Sequence, residues 1–124
     1  MRKHKYLILL VLWLVFISTL SLIELNVERV PKVDETDKVV HFLFHYILSV
    51  FLMFYLRYEN VLFEIKGMYY FVLIFSTFYG LLIEGLQATI TTNRDPDFFD
   101  VLANILGCLV SLLSFSYFLR LKRE

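Results

Sequence analysis

Four stretches of the chain are almost purely apolar: Tyr6–Ile23, Val39–Leu56, Met68–Leu86 and Phe98–Leu119. The first holds no charge. The second is broken only by His41 and His45, the third only by Glu84, and the fourth only near its start, by Asp100 and Asn104. Crossing the hydrocarbon core takes about 20 residues of helix, with a range of roughly 17–25, and all four runs qualify. Backbone groups in lipid must bond one another, so such spans are helices. A polar segment, Arg57–Gly67, joins the second and third runs. Ala88–Asp97 joins the third and fourth, and its Asp95-Pro96-Asp97 stops one helix and starts the next. Connections this short make neighbouring spans antiparallel. The pattern predicts an all-α integral membrane protein, a four-transmembrane-helix bundle forming a single domain over residues 1–124, with spans at about 6–23, 39–56, 68–86 and 98–119.

The basic residues orient the bundle. Arg2, Lys3, Lys5, Arg57, Lys66, Arg120, Lys122 and Arg123 fall on one side; Arg29, Lys32, Lys38 and Arg94 fall on the other. The richer side is cytoplasmic. Both termini are then inside, and the loops Glu24–Lys38 and Ala88–Asp97 face outward. Basic residues before an apolar run also describe a cleavable signal peptide. Ser18-Thr19-Leu20-Ser21 is a poor cleavage site, however, and the run exceeds the ~7–15 residues of a signal core.

Composition narrows the classes further. Apolar residues make up 59% of the chain, above the roughly half of a soluble domain. The formal net charge of zero leaves no basic footprint for nucleic acid. The one cysteine, Cys108, forms no internal disulfide, and no Cys/His metal spacing is present. No cofactor, no metal and no catalytic residue is assigned from these features.

The polar residues inside the spans gather at one end. Asp37, His41 and His45 follow at four-residue spacing and share a helix face, with Lys38 beside them. Glu84 and Gln87 are three apart. Asp97, Asp100 and Asn104 follow at three and four, with Gly107 and Ser111 extending the stripe, and the outer loop adds Arg94. The inner halves of these helices read as almost purely Leu, Ile, Val and Phe. Taken singly, Asp37, Asp97 and Asp100 are better explained as first-turn acids favoured by the helix dipole, and Lys38 and Arg94 as residues reaching headgroups. Glu84, Asn104 and His45 lie about a turn or more below the interface, where an ionisable side chain is costly and faces protein or water. His41 is intermediate. Acid, base and amide from three helices at one depth predict a shared outward pocket, although pairing that serves only helix packing stays open. Gly80 and Gly85 are candidates for close helix contact, and most tyrosines, with Trp13, are expected near span ends as interfacial anchors.

At these residues the sequence resembles the VanZ-like family of small bacterial membrane proteins. Asp37-Lys38-Val-Val-His41-Phe42 is similar to that family's opening of the second helix. Tyr79-Gly80-Leu-Leu-Ile-Glu84-Gly-Leu-Gln87 is similar to its end of the third. Arg94, Asp97 and Asp100-Val-Leu-Ala-Asn104-Ile-Leu-Gly107 complete the pattern in the same order. Asn93 stands where family members often have glycine, and Asn also tolerates left-handed turns. His45 lies outside the strongest part of the pattern. The resemblance implies a bacterial inner (plasma) membrane location. It also implies a link to low-level resistance to the glycopeptide antibiotic teicoplanin. The architecture carries over further than the phenotype, since many relatives come from organisms with no evident need for it.

Three functions compete. In the first, a non-enzymatic protein uses Asp37, Lys38, His41, Glu84, Gln87, Arg94, Asp97, Asp100 and Asn104 to bind an envelope lipid or a glycopeptide-type ligand. Arginine suits phosphate through its bidentate fork. In the second, a membrane-embedded enzyme works on an envelope lipid by acid–base or metal-assisted chemistry, with Glu84 as base and His41 as acid or metal ligand. No hydrolase, metalloprotease or phosphate-loop motif is present, which places this reading second. The third is a structural or partner-binding membrane subunit whose polar stripes fix the bundle.

Overall fold

A computed structural model describes residues 4–23, 34–59, 64–90 and 98–123, with all their side chains except those of 22–23, 34–37, 87–88 and 90. Four helices account for nearly all of it: α1 (Lys5–Ile23), α2 (Asp34–Tyr58), α3 (Ile65–Ile90) and α4 (Phe98–Arg123). The four predicted apolar runs each lie inside one helix. Helix α2 begins five residues earlier than predicted, at Asp34. Helix α4 ends in Arg120, Lys122 and Arg123, the charge that the C-terminal end of a helix dipole favours.

Side-chain pairs fix the directions. Glu59, just past the end of α2, accepts the backbone N–H groups of Tyr6 (2.7 Å) and Leu7 (3.1 Å) at the start of α1. Those donors have no partner within their own helix, so a carboxylate from another segment caps α1. Its replacement by alanine is expected to lower stability by about 1–2 kcal/mol, read as an earlier unfolding transition in detergent. The same contact makes α1 and α2 antiparallel. Helices α3 and α4 are antiparallel as well, since Tyr69 near the start of α3 bonds Ser116 near the end of α4 at 2.7 Å.

The most closely packed pair is not adjacent in sequence: α2 and α4 lie side by side and parallel. Lys38 meets Asp100, His41 meets Asn104, Tyr46 meets Ser114 and Phe54 meets Phe118, in steadily rising register. Gly107 permits this approach. A Cβ there would collide with the backbone carbonyl oxygen of Phe42 and come within 3.2 Å of Tyr46 N. Gly80 is constrained by a side chain instead, since its Cβ would sit 2.6 Å from Asn104 Nδ2. Gly85 is different from the expectation: a Cβ there meets nothing within 4 Å. It faces outward and serves no contact within the described bundle.

The buried core is built from Leu10, Ile17, Leu48, Leu52, Met53, Met68, Val72 and Phe115, with Cys108 among them. Three serines, Ser49, Ser76 and Ser111, are fully buried beside it, so the interior is less uniformly aliphatic than the sequence implies. Ser111 donates to the Cys108 carbonyl in its own helix, the usual way a buried serine stays satisfied in an apolar setting. Trp13 lies in the middle of α1, not near an end of it as expected. Its indole N–H donates to the Phe44 carbonyl at 3.0 Å. Tyr46 is likewise mid-helix, donating to Ser114 at 3.0 Å. Outward faces of all four helices are apolar, as with Leu12, Ile74, Phe78 and Leu113, the last 71% exposed. So continuous an apolar exterior is foreign to a water-soluble monomer and ordinary in lipid.

Candidate functional site

The polar residues converge where α2 and α4 begin and α3 ends. Spacing brings Lys38 and His41 to one face of α2, and Asp100 and Asn104 to the facing side of α4. Parallel register then matches them turn for turn. Lys38 Nζ lies 3.5 Å from Asp100 Oδ1, with the lysine side chain 30% exposed and the aspartate buried. His41 Nε2 lies 3.5 Å from Asp100 Oδ2, and His41 Nδ1 lies 3.2 Å from Asn104 Oδ1. An amide oxygen only accepts, so Nδ1 carries the proton. From α3, Glu84 comes in at the same level. His41, Glu84 and Asp100 each offer one ligand atom, and these atoms lie within 4.8 Å of one another. All three are buried, as is Asn104.

One turn deeper sits His45, also buried. Its Nδ1 is 2.7 Å from the Ser76 hydroxyl on α3, and its ring lies 6.0 Å from that of Tyr79. Tyr79 in turn pairs with Ser18 on α1. A cavity of about 10 Å³, room for about one water, is lined by His41, His45, Tyr79, Asn104 and Ser21, with Gly80 at its wall. The glycine is needed there, because a side chain would displace Asn104.

Of the nine residues singled out from sequence, the structure brings Lys38, His41, Glu84, Asp100 and Asn104 together. Arg94, Asp97 and the side chains of Asp37 and Gln87 lie outside the described residues. Asp100, which reads from sequence as a first-turn acid, is fully buried and paired with Lys38 and His41. His45, Ser76, Tyr79 and Ser21 also line or support the cavity. His45 carried a clear signal, its four-residue spacing from His41. Tyr79 opens the pattern that ends the third helix, whereas the serines carried no signal, since a serine in an apolar run looks the same whether it faces lipid or a neighbour.

Three of the four helices, α2, α3 and α4, are long and apolar enough to cross a membrane, and α1 is a shorter apolar helix. Fold and site together define an all-α membrane-associated protein with a buried acid, base and amide cluster where three helices meet. The chain belongs to the VanZ/LLP1 family, whose sequence model matches residues 3–120. No curated protein and no solved structure matches the chain.

Proposed function

We propose that this chain is a bacterial plasma-membrane protein in which all four helices span the bilayer, both termini are cytoplasmic, and the polar end faces outward to bind the headgroup of a cell-envelope lipid or a glycopeptide-type ligand. At 19 residues α1 is about 28 Å long, close to the roughly 30 Å of a hydrocarbon core. The basic residues favour the orientation. The observation that carries the binding reading is the confluence of Lys38, His41, Glu84, Asp100 and Asn104 at one end of an otherwise apolar bundle. Ionisable groups kept at that depth usually mark a ligand or ion path. Lys38, partly exposed at the rim, supplies a cation for a phosphate or carboxylate. A role in teicoplanin resistance would follow from such binding, through a change in what the antibiotic meets at the membrane surface.

Two measurements test this. Cys108 is fully buried, so it is a silent background for cysteine labelling. A cysteine introduced at position 92 is expected to react with an impermeant maleimide on intact cells, and one at position 2 only after lysis. The opposite pattern inverts the orientation. Native mass spectrometry of protein released gently from its own membrane is expected to show a discrete added mass, reduced in Glu84→Gln at equal yield. No discrete mass on either protein turns the cluster into a packing device.

A further inference from the structure

We propose that His41, Glu84 and Asp100 form a binding site for a divalent transition-metal cation, Zn²⁺ or Mn²⁺, within the polar end of the bundle. The proposal deepens the ligand-site reading and rests on it.

The histidine carries the argument. His41 Nδ1 faces the Asn104 amide oxygen at 3.2 Å, which turns Nε2 toward the carboxylates, 3.5 Å from Asp100 Oδ2. A metal ion accounts for the spacing directly. Two ligand atoms about 2.1 Å from a tetrahedral ion are about 3.4 Å apart. Metal-bound histidines also characteristically donate their other ring N–H to an oxygen acceptor, the part Asn104 plays here.

Glu84 supplies the third ligand from a third helix, within 4.8 Å of both others, a span that a small carboxylate movement closes. Two carboxylates offset the charge of a divalent cation, and Lys38, 30% exposed, can turn its ammonium toward the rim. One imidazole with two carboxylates fits zinc through the nitrogen and manganese through the oxygens, and is poorly matched to the soft ions that prefer sulfur. Three protein ligands leave a coordination position for water or a ligand atom, as open zinc sites do. The cavity bordering His41 and Asn104 has room for about one water. Helix order explains why this set is hard to see in the sequence: its members are 43 and 16 residues apart along the chain. No short metal motif joins them.

The test uses tag-cleaved protein in detergent, stripped with EDTA, then dialysed against Zn²⁺ or Mn²⁺ alone and analysed for bound metal per chain. One equivalent is expected on the wild type. His41→Ala and Glu84→Gln are expected to weaken uptake at least tenfold. Asn104→Ala, which frees His41 to rotate, is expected to weaken it by about 10–100-fold while leaving the stoichiometry reachable at higher metal. His4→Ala, at the far exposed end of the chain, is expected to change nothing. Circular dichroism and elution position show whether each variant is folded, and Asp100→Asn serves where an alanine variant is not. Absence of stoichiometric metal on the wild type, or equal uptake by all folded variants, overturns the proposal and leaves an imidazolium–carboxylate pair. Metal failure with a Glu84-dependent added mass in the native spectra removes the cation and keeps the ligand site. Failure of both removes the ligand-site reading itself.

Discussion

Gly107→Leu is expected to abolish assembly of the folded bundle, and Gly107→Ala to cost about 1–3 kcal/mol, the range for forcing extra atoms into a packed interior. The obstacle at Gly107 is backbone: the Phe42 carbonyl oxygen and carbon, and Tyr46 N. Backbone inside a helix cannot rotate aside as a side chain can. Relief therefore requires α2 and α4 to move apart, and the contacts of Lys38, His41 and Tyr46 across that seam would lengthen together. Gly85→Ala is the matched control. With nothing within 4 Å of its Cβ, it is expected to be neutral or stabilising by up to about 1 kcal/mol, the helix-propensity gain of alanine over glycine. Thermal unfolding in detergent, followed by the fluorescence of the single tryptophan, Trp13, measures both. Equal transitions for the two alanine variants would show that the close crossing of α2 and α4 is not a determinant of stability.

Asp100→Ala is the second large effect. It is expected to cost about 3 kcal/mol, the lower end of the range for removing one member of a buried ion pair. Asp100 is fully buried, but Lys38 keeps 30% of its side chain exposed and can turn toward water once released. His41 cannot escape so easily, because it is buried and tied to Asn104. Asp100→Asn, which keeps the size and an acceptor oxygen, is expected to lose less. The same unfolding transition reports both, and a loss below about 1 kcal/mol for the alanine variant would mean that Lys38 and His41 find other partners at no cost.

The number and rough limits of the helices were legible because length and continuity of apolar residues carry that information. The polar end was legible for a similar reason. Spacings of three and four put Lys38, His41, Asp100 and Asn104 on definite helix faces without reference to any other helix. What sequence did not carry was the pairing between faces. Alternating spans already make α2 and α4 parallel, but nothing in their spacing says that they lie side by side, since that depends on how four helices share one core. Glycines suffered from the same gap. Gly80 and Gly85 look alike in the chain, yet one faces Asn104 across a crossing and the other faces outward. Serine's hydropathy is too mild to interrupt an apolar run, so Ser49 and Ser76 were invisible as interior groups, whereas spacing had placed Ser111 on the polar stripe of α4. The cap that Glu59 gives to α1 spans more than 50 residues of chain and leaves no local trace.

The parallel pairing of α2 with α4 has a consequence for biosynthesis. Helix α2 leaves the ribosome long before its main partner exists. His45 finds Ser76 as soon as α3 follows, but Lys38 and His41 must wait for Asp100 and Asn104, which arrive only with α4. Until then the intermediate has polar side chains turned toward a seam that α4 has yet to fill. Such a species is a natural substrate for membrane proteases and insertion chaperones. A chain stalled before α4 should therefore be short-lived, and the arrival of α4 is the event that closes this seam.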